Sequence, residues 1–188
     1  VYSGENPEIS IIIPAYEAHE MTAECLLWLD RSLHLCDSRC EVIVVDDASI
    51  EPYERDFRQV EGLRIIRNDT NLGYLRSCNR ALGLSRGEDI VLLNNDTYPV
   101  GRWVDHLRER LACVPGAFVV GARLVGLDGL LQESGGAIFS DGSGWNFGRG
   151  WEGDDPRCTY AREVDYCSAA AILIKGQFAR EVGLFDTR

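Results

Sequence analysis

The familiar nucleotide-binding loops are missing from this 188-residue chain. No GxxxxGK[ST] occurs, and the first apolar run leads into Pro14-Ala15-Tyr16-Glu17 where a dinucleotide fold would carry GxGxxG. Both a P-loop and a dinucleotide cofactor are thereby disfavoured. His19, His34 and His106 have no zinc-ligand spacing and accompany no recognisable nucleophile motif, so they read as surface or capping residues. The seven cysteines, at positions 25, 36, 40, 78, 113, 158 and 167, form no CxxC. An odd count leaves at least one unpaired if all pairing is internal, and reduced thiols in a cytosolic chain are the expectation. No stretch reaches the roughly 18 apolar residues needed to cross a bilayer, and the N-terminus has neither a basic region nor a signal-like apolar segment. The expected setting is a soluble chain in the cytoplasm, with a longer parent able to sit at the inner face of the cell membrane.

Positive charge is also scarce. Nineteen Lys and Arg stand against thirty Asp and Glu, a net charge of -11, which repels a phosphate backbone and excludes nucleic acid as an expected partner. A nucleotide ligand is a separate case, because a divalent cation between carboxylate and diphosphate reverses the local sign. Hydrophobic residues make up 45% and charged residues 26%, enough for a folded interior of one domain with a decorated edge.

The apolar residues are gathered into short runs. Ile9 to Ile13 reads as a strand buried on both faces and stopped by Pro14. Ala23, Leu26, Leu29 and Leu33 then recur at helical spacing. Glu41 to Val45, Leu63 to Arg67 and Ile90 to Leu93 are further strands, and Tyr74 to Ser85 is a helix with Leu75, Cys78 and Leu82 inward and Gly87 closing it in the left-handed conformation. This alternation predicts a mostly parallel sheet with helices on both faces. Past Pro115, Phe118 to Leu124 and Leu130 to Phe139 read as strands joined through Asp128-Gly129, 140–156 as a loop, Val164 to Ile174 as a last strand, and Gln177 to Val182 as a short helix. There is no internal repeat and no low-complexity segment.

The chemistry-bearing residues fall at the ends of these strands. Asp46 and Asp47 follow the second, Asn71 lies after the third, and Asn94 and Asp96 follow the fourth. Loops at the carboxyl ends of parallel strands open on one edge, so these groups can converge. A carboxylate there can accept from a nucleobase imide or a ribose hydroxyl, and another can hold a hard cation against a diphosphate. Taken singly, each could equally cap a helix or make a turn.

The blocks ISIIIPAYEAHE, VIVVDDASIE, NDTNLGYLRSCNRAL, LLNNDTYP, DGLLQESGG and VDYCSAAAILI, followed by VGLFD, stand in one order from Ile9 to Asp186. They resemble the inverting GT-A glycosyltransferases of family 2, especially the branch that builds bacterial polysaccharides and includes rhamnosyltransferases. The resemblance implies a single GT-A domain over 1–188, three-layer α/β/α with a mostly parallel mixed sheet. Residues 1–100 would be the nucleotide-binding half and 101–188 a partial acceptor-side half. It implies a nucleoside-diphosphate sugar as donor, Mg2+ or Mn2+ as cofactor, and a glycan or lipid-linked saccharide as acceptor.

By position, Asp46 resembles the nucleobase carboxylate with Pro14 and Tyr16 shaping the pocket, and Glu17 stands where Asn is common. Asn71 and Gly73 match the NxG turn, with Arg76 and Asn79 on the helix behind it. Asp96 matches the metal-binding end of the DxD motif, whose first position is here Asn94. Asp165 resembles a residue near donor sugar and acceptor and is the catalytic candidate among the residues present, and Ala169 stands where Gly is frequent. The implied reaction is a single displacement with inversion, its base the Asp of an ED motif that follows VGxFD in the family. In this sequence that motif would lie beyond Arg188, which leads to the expectation of an incomplete acceptor side and little transfer by the 188 residues alone. Trp145, Trp151 and Tyr160 are candidate faces for sugar rings. Two alternatives remain: a sugar nucleotidyltransferase, which should carry a Gly-rich basic loop after the first strand, and a non-catalytic carbohydrate-binding domain, which should bind glycans without metal-dependent affinity for a nucleotide.

Overall fold

The structure, a computed structural model, describes residues 6–187; Arg188 lies outside them. In chain order the first half comprises β1 Ile9–Ala15, α1 His19–Leu33, β2 Cys40–Asp46, α2 Tyr53–Phe57, β3 Leu63–Arg67, α3 Tyr74–Leu82, β4 Asp89–Leu93 and α4 Trp103–Cys113. The second half is built from shorter pieces: β5 Val119–Gly121, β6 Leu124–Val125, β7 Leu131–Glu133, β8 Gly136–Ile138, β9 Gly144–Asn146, a 3-10 turn at Pro156–Cys158, β10 Ala171–Ile174 and α5 Gly176–Val182.

Six strands form one mixed sheet in the order β3-β2-β1-β4-β10-β5. The four from the first half are parallel, and β10 lies antiparallel between β4 and β5. Alternation across the sheet explains the continuous apolar runs. Ile9, Ile11 and Ile13 with Val42 and Val44 pack under α1, α2 and α4, whereas Ile12 with Ile43 and Val45 packs against α3 and α5. The three expected layers are therefore present. The chain moves outward from β1 to β2 and β3, then returns to place β4 on the other side of β1. That reversal is a topological switch point, where the carboxyl ends of β1 and β4 leave a crevice.

Several local expectations are corrected. Pro14 lies inside β1, which runs on to pair Ala15 with Asp46. The Asp47 N–H donates to Ala15 O, so odd positions of β1 bond to β2. Pro14 faces the β4 side, where pairing has already ended at Ile12 and Leu92, and its missing N–H costs nothing there. In α1, Cys25 rather than Ala23 completes the buried face. In α3, Ser77 and Ala81 join Cys78 and Leu82 inward, and Leu75 is exposed. The strand expected over 130–139 is broken at Gly135, which adopts φ +80°, and the last strand begins only at Ala171. Helices α2 and α4 and the β8–β9 hairpin were not anticipated.

Gly87 does not close a helix in the left-handed conformation; α3 ends at Leu82. Its requirement is proximity. The Gly87 N–H donates to Ser10 Oγ at 2.7 Å, and a Cβ there would lie 2.3 Å from the Ser10 nitrogen and 2.5 Å from the Ile9 carbonyl carbon. Those are backbone atoms of the central strand and cannot move aside cheaply. Gly87→Ala should therefore lower the unfolding free energy by about 1–3 kcal/mol, read from the urea midpoint. Gly83→Ala is the control, since a Cβ there meets only Arg80 O at an ordinary 3.5 Å; equal midpoints for both variants would show that Gly87 is not held close.

Candidate functional site

The carboxyl ends of β1, β2 and β4 meet along one edge, and the loops that leave them are tied together by side chains. Asp46 is fully buried. Its Oδ1 accepts from the Ser49 N–H at 2.9 Å, and its Oδ2 accepts from the Tyr53 N–H at 3.2 Å and from the Arg67 guanidinium. Asp47, 5% exposed, accepts from Asn68 Nδ2 at 2.7 Å, the Leu72 N–H at 2.8 Å and the Gly73 N–H at 2.8 Å. Burial pushes both carboxyls up, and these donors outweigh it and hold both below the ordinary carboxylate range. Asp47 thus builds the Asn71-Leu72-Gly73 turn. Asn71 Oδ1 adds a bond to the Gly73 N–H at 3.2 Å, and Gly73 takes φ +76° with nothing near a would-be Cβ, leaving its backbone open to a ligand.

The loop after β1 is fastened to the loop after β2. The Glu17 N–H donates to Ser49 Oγ at 2.9 Å, and Glu17 Oε1 accepts from the Ile50 N–H at 2.8 Å, which is what the carboxylate at this position does. Glu17, Ala18 and Ala48, the non-glycine residues of positive φ among those described, all fall on this rim. Such conformations cost energy and persist where surrounding contacts enforce them. Pro14 is buried beneath the rim and Tyr16 is 51% exposed above it. His19 completes the edge, its Nδ1 at 2.6 Å from Asp56 and its Nε2 at 3.0 Å from Glu51 O.

The three residues after β4 divide their roles. The Asn94 N–H donates to Ala170 O at 2.9 Å and its carbonyl accepts from Thr97 Oγ1 at 2.7 Å. Asn95 Nδ2 bonds Thr22 Oγ1 at 3.0 Å; that hydroxyl meets the Tyr53 hydroxyl, which donates to Glu17 O. Asp96 is exposed and its carboxylate has no partner among the described residues. Burial pushes the Cys25 thiol up to about 11 and is the largest cause raising the Tyr74 phenol, with the charge of Asp96 a smaller contribution to each.

Other residues fall elsewhere. Asn79 does not face the cleft, because its side chain bonds Leu184 and Phe185. Asp165 Oδ2 accepts from the Ile138 N–H at 2.9 Å, fastening β8 to the segment that enters β10. The Trp151 face is covered by Arg157 at 3.6 Å and the Tyr160 face by Arg162 at 4.6 Å, whereas Trp145 is 68% exposed. Beside the NLG turn is a cleft of about 270 Å³ lined by 72–76, Asp186 and Thr187. A larger concavity, about 590 Å³, lies at the opposite end of the strands between Glu8, Arg39, Arg86 and Arg180, far from the convergent groups. Sequence does not single out Arg67, the last residue of β3, or Asn68, the first of NDTNLG; nothing local marks a long-range partner.

A model of glycosyl transferase family 2 matches residues 10–175, which include every one of these strand-end groups. The chain belongs to glycosyl transferase family 2. Among curated relatives of the family domain, an uncharacterized protein of Sinorhizobium fredii is 34% identical over 69% of this chain and 14% of its own length. Chondroitin synthase of Escherichia coli is 32% identical over 61% of this chain and 17% of its own. The chain thus spans under a fifth of these relatives. Its fold matches the Pyrobaculum calidifontis mannosyltransferase in complex with GDP-Man and Mn2+, with a TM-score of 0.64 at 17% identity over 97% of this chain and 48% of that one. It also matches TarS 1-349 of S. aureus in complex with UDP, with a TM-score of 0.60 at 18% identity over 95% and 49%. The architecture is the expected GT-A-like fold. The described residues include no helix long and apolar enough to cross a membrane, and their cysteines, all seven of the chain, are free thiols.

A pH dependence follows from the paired carboxylates. Their folded-state pKa values lie below the unfolded value of about 3.9, so their contribution to stability is fully present above about pH 4 and is lost as pH falls through the folded values. The urea midpoint should be level between about pH 7 and 5 and drop below about pH 4. Asp47→Asn should lower the neutral-pH midpoint and flatten the acid limb; an unchanged acid limb would mean that the carboxylate does not hold the turn as an anion.

Proposed function

We propose that the crevice between β1 and β4 binds a nucleoside-diphosphate sugar, and that the protein containing this chain transfers the sugar to a hydroxyl of a glycan or lipid-linked saccharide with inversion. The observation that carries this reading is the contrast along the strand ends. Asp46, Asp47 and Asn95 are occupied in building the rim, whereas Asp96, in the turn that leaves β4 beside β1, presents to solvent a carboxylate with no partner among the described residues. Building a rigid rim around one free carboxylate suits a ligand that brings its own counter-charge.

Mg2+ or Mn2+ fits that description. Such cations take one or two protein carboxylates and complete their shell with phosphate oxygens and water. No group of three or more His, Cys, Asp or Glu that could hold a metal occurs among the described residues, so a cation shared with the donor fits better than a resident one. Asp96 would hold it, with the Asn94 amide beside it, and the cation would supply charge neutralisation for the departing diphosphate. The Asn71–Gly73 turn approaches the phosphates through its backbone. Pro14, Tyr16 and the loop that Asp46 anchors through Ser49, Tyr53 and Arg67 enclose the base. Asp165 positions the acceptor side through β8, and the proton of the attacking hydroxyl is assigned to no side chain among the described residues. The Mn2+ and UDP of the two solved relatives support this reading.

Calorimetric titration with UDP, GDP and dTDP, each with and without Mn2+, is the test. Asp96→Ala should lose the metal-dependent part of the affinity, about 10- to 100-fold, while keeping the thermal midpoint, because the side chain is exposed. Equal affinities of parent and variant in saturating Mn2+ would remove Asp96 from the site. Glycan binding by a parent chain that ignores all three nucleotides would favour the non-catalytic alternative.

Asp46→Asn separates base from phosphate. Weakening the grip of the Asp46 carboxylate on its donors, the Ser49 and Tyr53 N–H groups and Arg67, should reduce affinity for a nucleoside monophosphate without metal by about 10-fold and leave the ratio between affinities with and without Mn2+ unchanged. A change in that ratio with no change in metal-free affinity would place Asp46 on the phosphate side instead.

A further inference from the structure

Helix α3 carries none of the proposed ligand contacts, yet it touches both halves of the crevice. It begins at Tyr74, directly after the Gly73 turn, so its start is fixed by the backbone that Asp47 holds. The Tyr74 hydroxyl reaches across the sheet end and donates to Ala169 O at 3.2 Å. Ala169 precedes Ala170, whose carbonyl accepts the Asn94 N–H at 2.9 Å. One side chain thus links the Gly73 turn, through the 169–170 peptide, to the 94–96 turn.

Asn79 makes the second connection. Its Oδ1 accepts from the Leu184 N–H at 3.1 Å and the Phe185 N–H at 3.0 Å, and its Nδ2 donates to Phe185 O at 2.7 Å. The amide is satisfied by a segment 105 and 106 residues away in sequence. Phe185 closes the loop, its ring set edge-on against Tyr74 with centroids 5.7 Å apart. Behind both residues α3 is anchored by Cys78, Ala81 and Leu82 against Ile12, Ile43 and Val45. The helix is therefore a rigid body with one grip on the Ala169 segment and another on the 184–185 segment.

We propose that α3, through Tyr74 and Asn79, is a positioning element that fixes the separation between the Gly73 turn and the 94–96 turn. It thereby sets affinity selectively for ligands that bridge the two. The inference rests on the donor-site reading above. A nucleoside monophosphate needs only the base pocket and the Gly73 turn, whereas a nucleoside-diphosphate sugar with its cation must also engage Asp96. A loosened joint lets the two turns drift apart, which costs the bridging ligand the effective concentration of its second contact and leaves the first untouched.

The experiment measures, on the 188-residue chain, calorimetric affinities for UMP and GMP without metal and for UDP-glucose and GDP-mannose with Mn2+. The proteins are the parent, Tyr74→Phe, Asn79→Ala and Asn79→Asp, with thermal midpoints recorded alongside. Asn79→Ala, which removes three hydrogen bonds, should weaken the nucleotide sugar about 10-fold and the monophosphate less than about 2-fold. Asn79→Asp keeps both acceptor bonds and should recover most of the loss. Tyr74→Phe keeps the ring against Phe185 and loses the hydroxyl's long bond to Ala169 O and its contact with the Cys78 thiol, so it should weaken the nucleotide sugar about 2- to 3-fold at a little-changed midpoint. Equal loss for both ligand types, or none for either, would overturn the positioning role while leaving the donor-site reading in place. A parent chain that binds neither ligand overturns that reading and this inference with it.

Discussion

Two adjacent carboxylates, Asp46 and Asp47, stand at the end of β2, a strand buried along its whole length, and the arrangement of the whole edge depends on satisfying them. An ionised carboxylate removed from water is tolerated only when its lone pairs meet donors. Both faces of β2 are already covered by apolar layers, so the donors must come from loops. Ser49, Tyr53 and Arg67 turn toward Asp46, and Asn68, Leu72 and Gly73 toward Asp47. The segment from Ala48 to Gly73 is thereby drawn around the end of its own strand. The positive φ of Ala48 is the local cost of bringing Ser49 back within reach, and Ser49 in turn holds Glu17 and so the loop from β1.

The opposite end of β2 obeys the same rule by different means. Glu41 is fully buried, and it accepts from Ser10 Oγ at 2.6 Å, the Arg86 N–H at 2.6 Å, Arg86 Nε at 3.0 Å and Arg64 at 2.6 Å. Burial raises this carboxyl, and these donors more than reverse it. The basic residues of the chain are 18 Arg and one Lys, and the planar fork of arginine suits this work because one group can serve a carboxylate and a backbone carbonyl together. Arg67 does so at Asp46 and Ser49 O, and Arg64 at Glu41 and Leu84 O. The arginines lining the concavity at this end are engaged likewise, Arg86 with Glu41 and Arg180 with the Gly87 and Glu88 carbonyls, which explains why it has the larger volume without the convergent free groups of a site.

Much of this was legible in sequence. The bounds of β2 and β4 are legible to within a residue because buried parallel strands read as apolar runs between polar turns, β3, only half-buried, is marked by Leu63, Ile65 and Ile66 before the polar 68–71 loop, and the hairpin between β6 and β7 is announced by Asp128-Gly129. The strand-end location of Asp46, Asp47, Asn94 and Asp96 followed from those boundaries. Spacing could not show which of them is spent on the fold. Asn94, Asn95 and Asp96 look alike as three polar residues after a strand, and only the partners of Asn95 and the absence of any for Asp96 among the described residues distinguish them. Thr22, Tyr53 and Arg67 come from elements that adjoin the site in space alone. The second half was harder to bound because its strands are three or four residues at most, too short for a period of two to declare itself, and because Gly135 and the isolated bridge from Gly136 to Tyr166 break runs that composition would join.

The electrostatic character of the crevice follows from the same division of labour. Every carboxylate that the rim needs is paired with donors, so its charge is largely compensated where it stands. Asp96 is left uncompensated in a protein whose net charge is -11, and a bare diphosphate approaching it would be repelled by that residue and by the surrounding field. On the proposed donor-site reading the crevice would select against free anions and for anions that carry a divalent cation, since the cation would convert the nearest repulsion into an attraction and change the local sign. A second acidic ligand at position 94 would favour a tightly held resident metal; Asn94 keeps the polarity without the charge. Affinity for the cation would then depend on the phosphates that accompany it, which would couple metal binding to donor binding and tie both to the distance across the crevice that the loops, and in the proposed role α3, maintain.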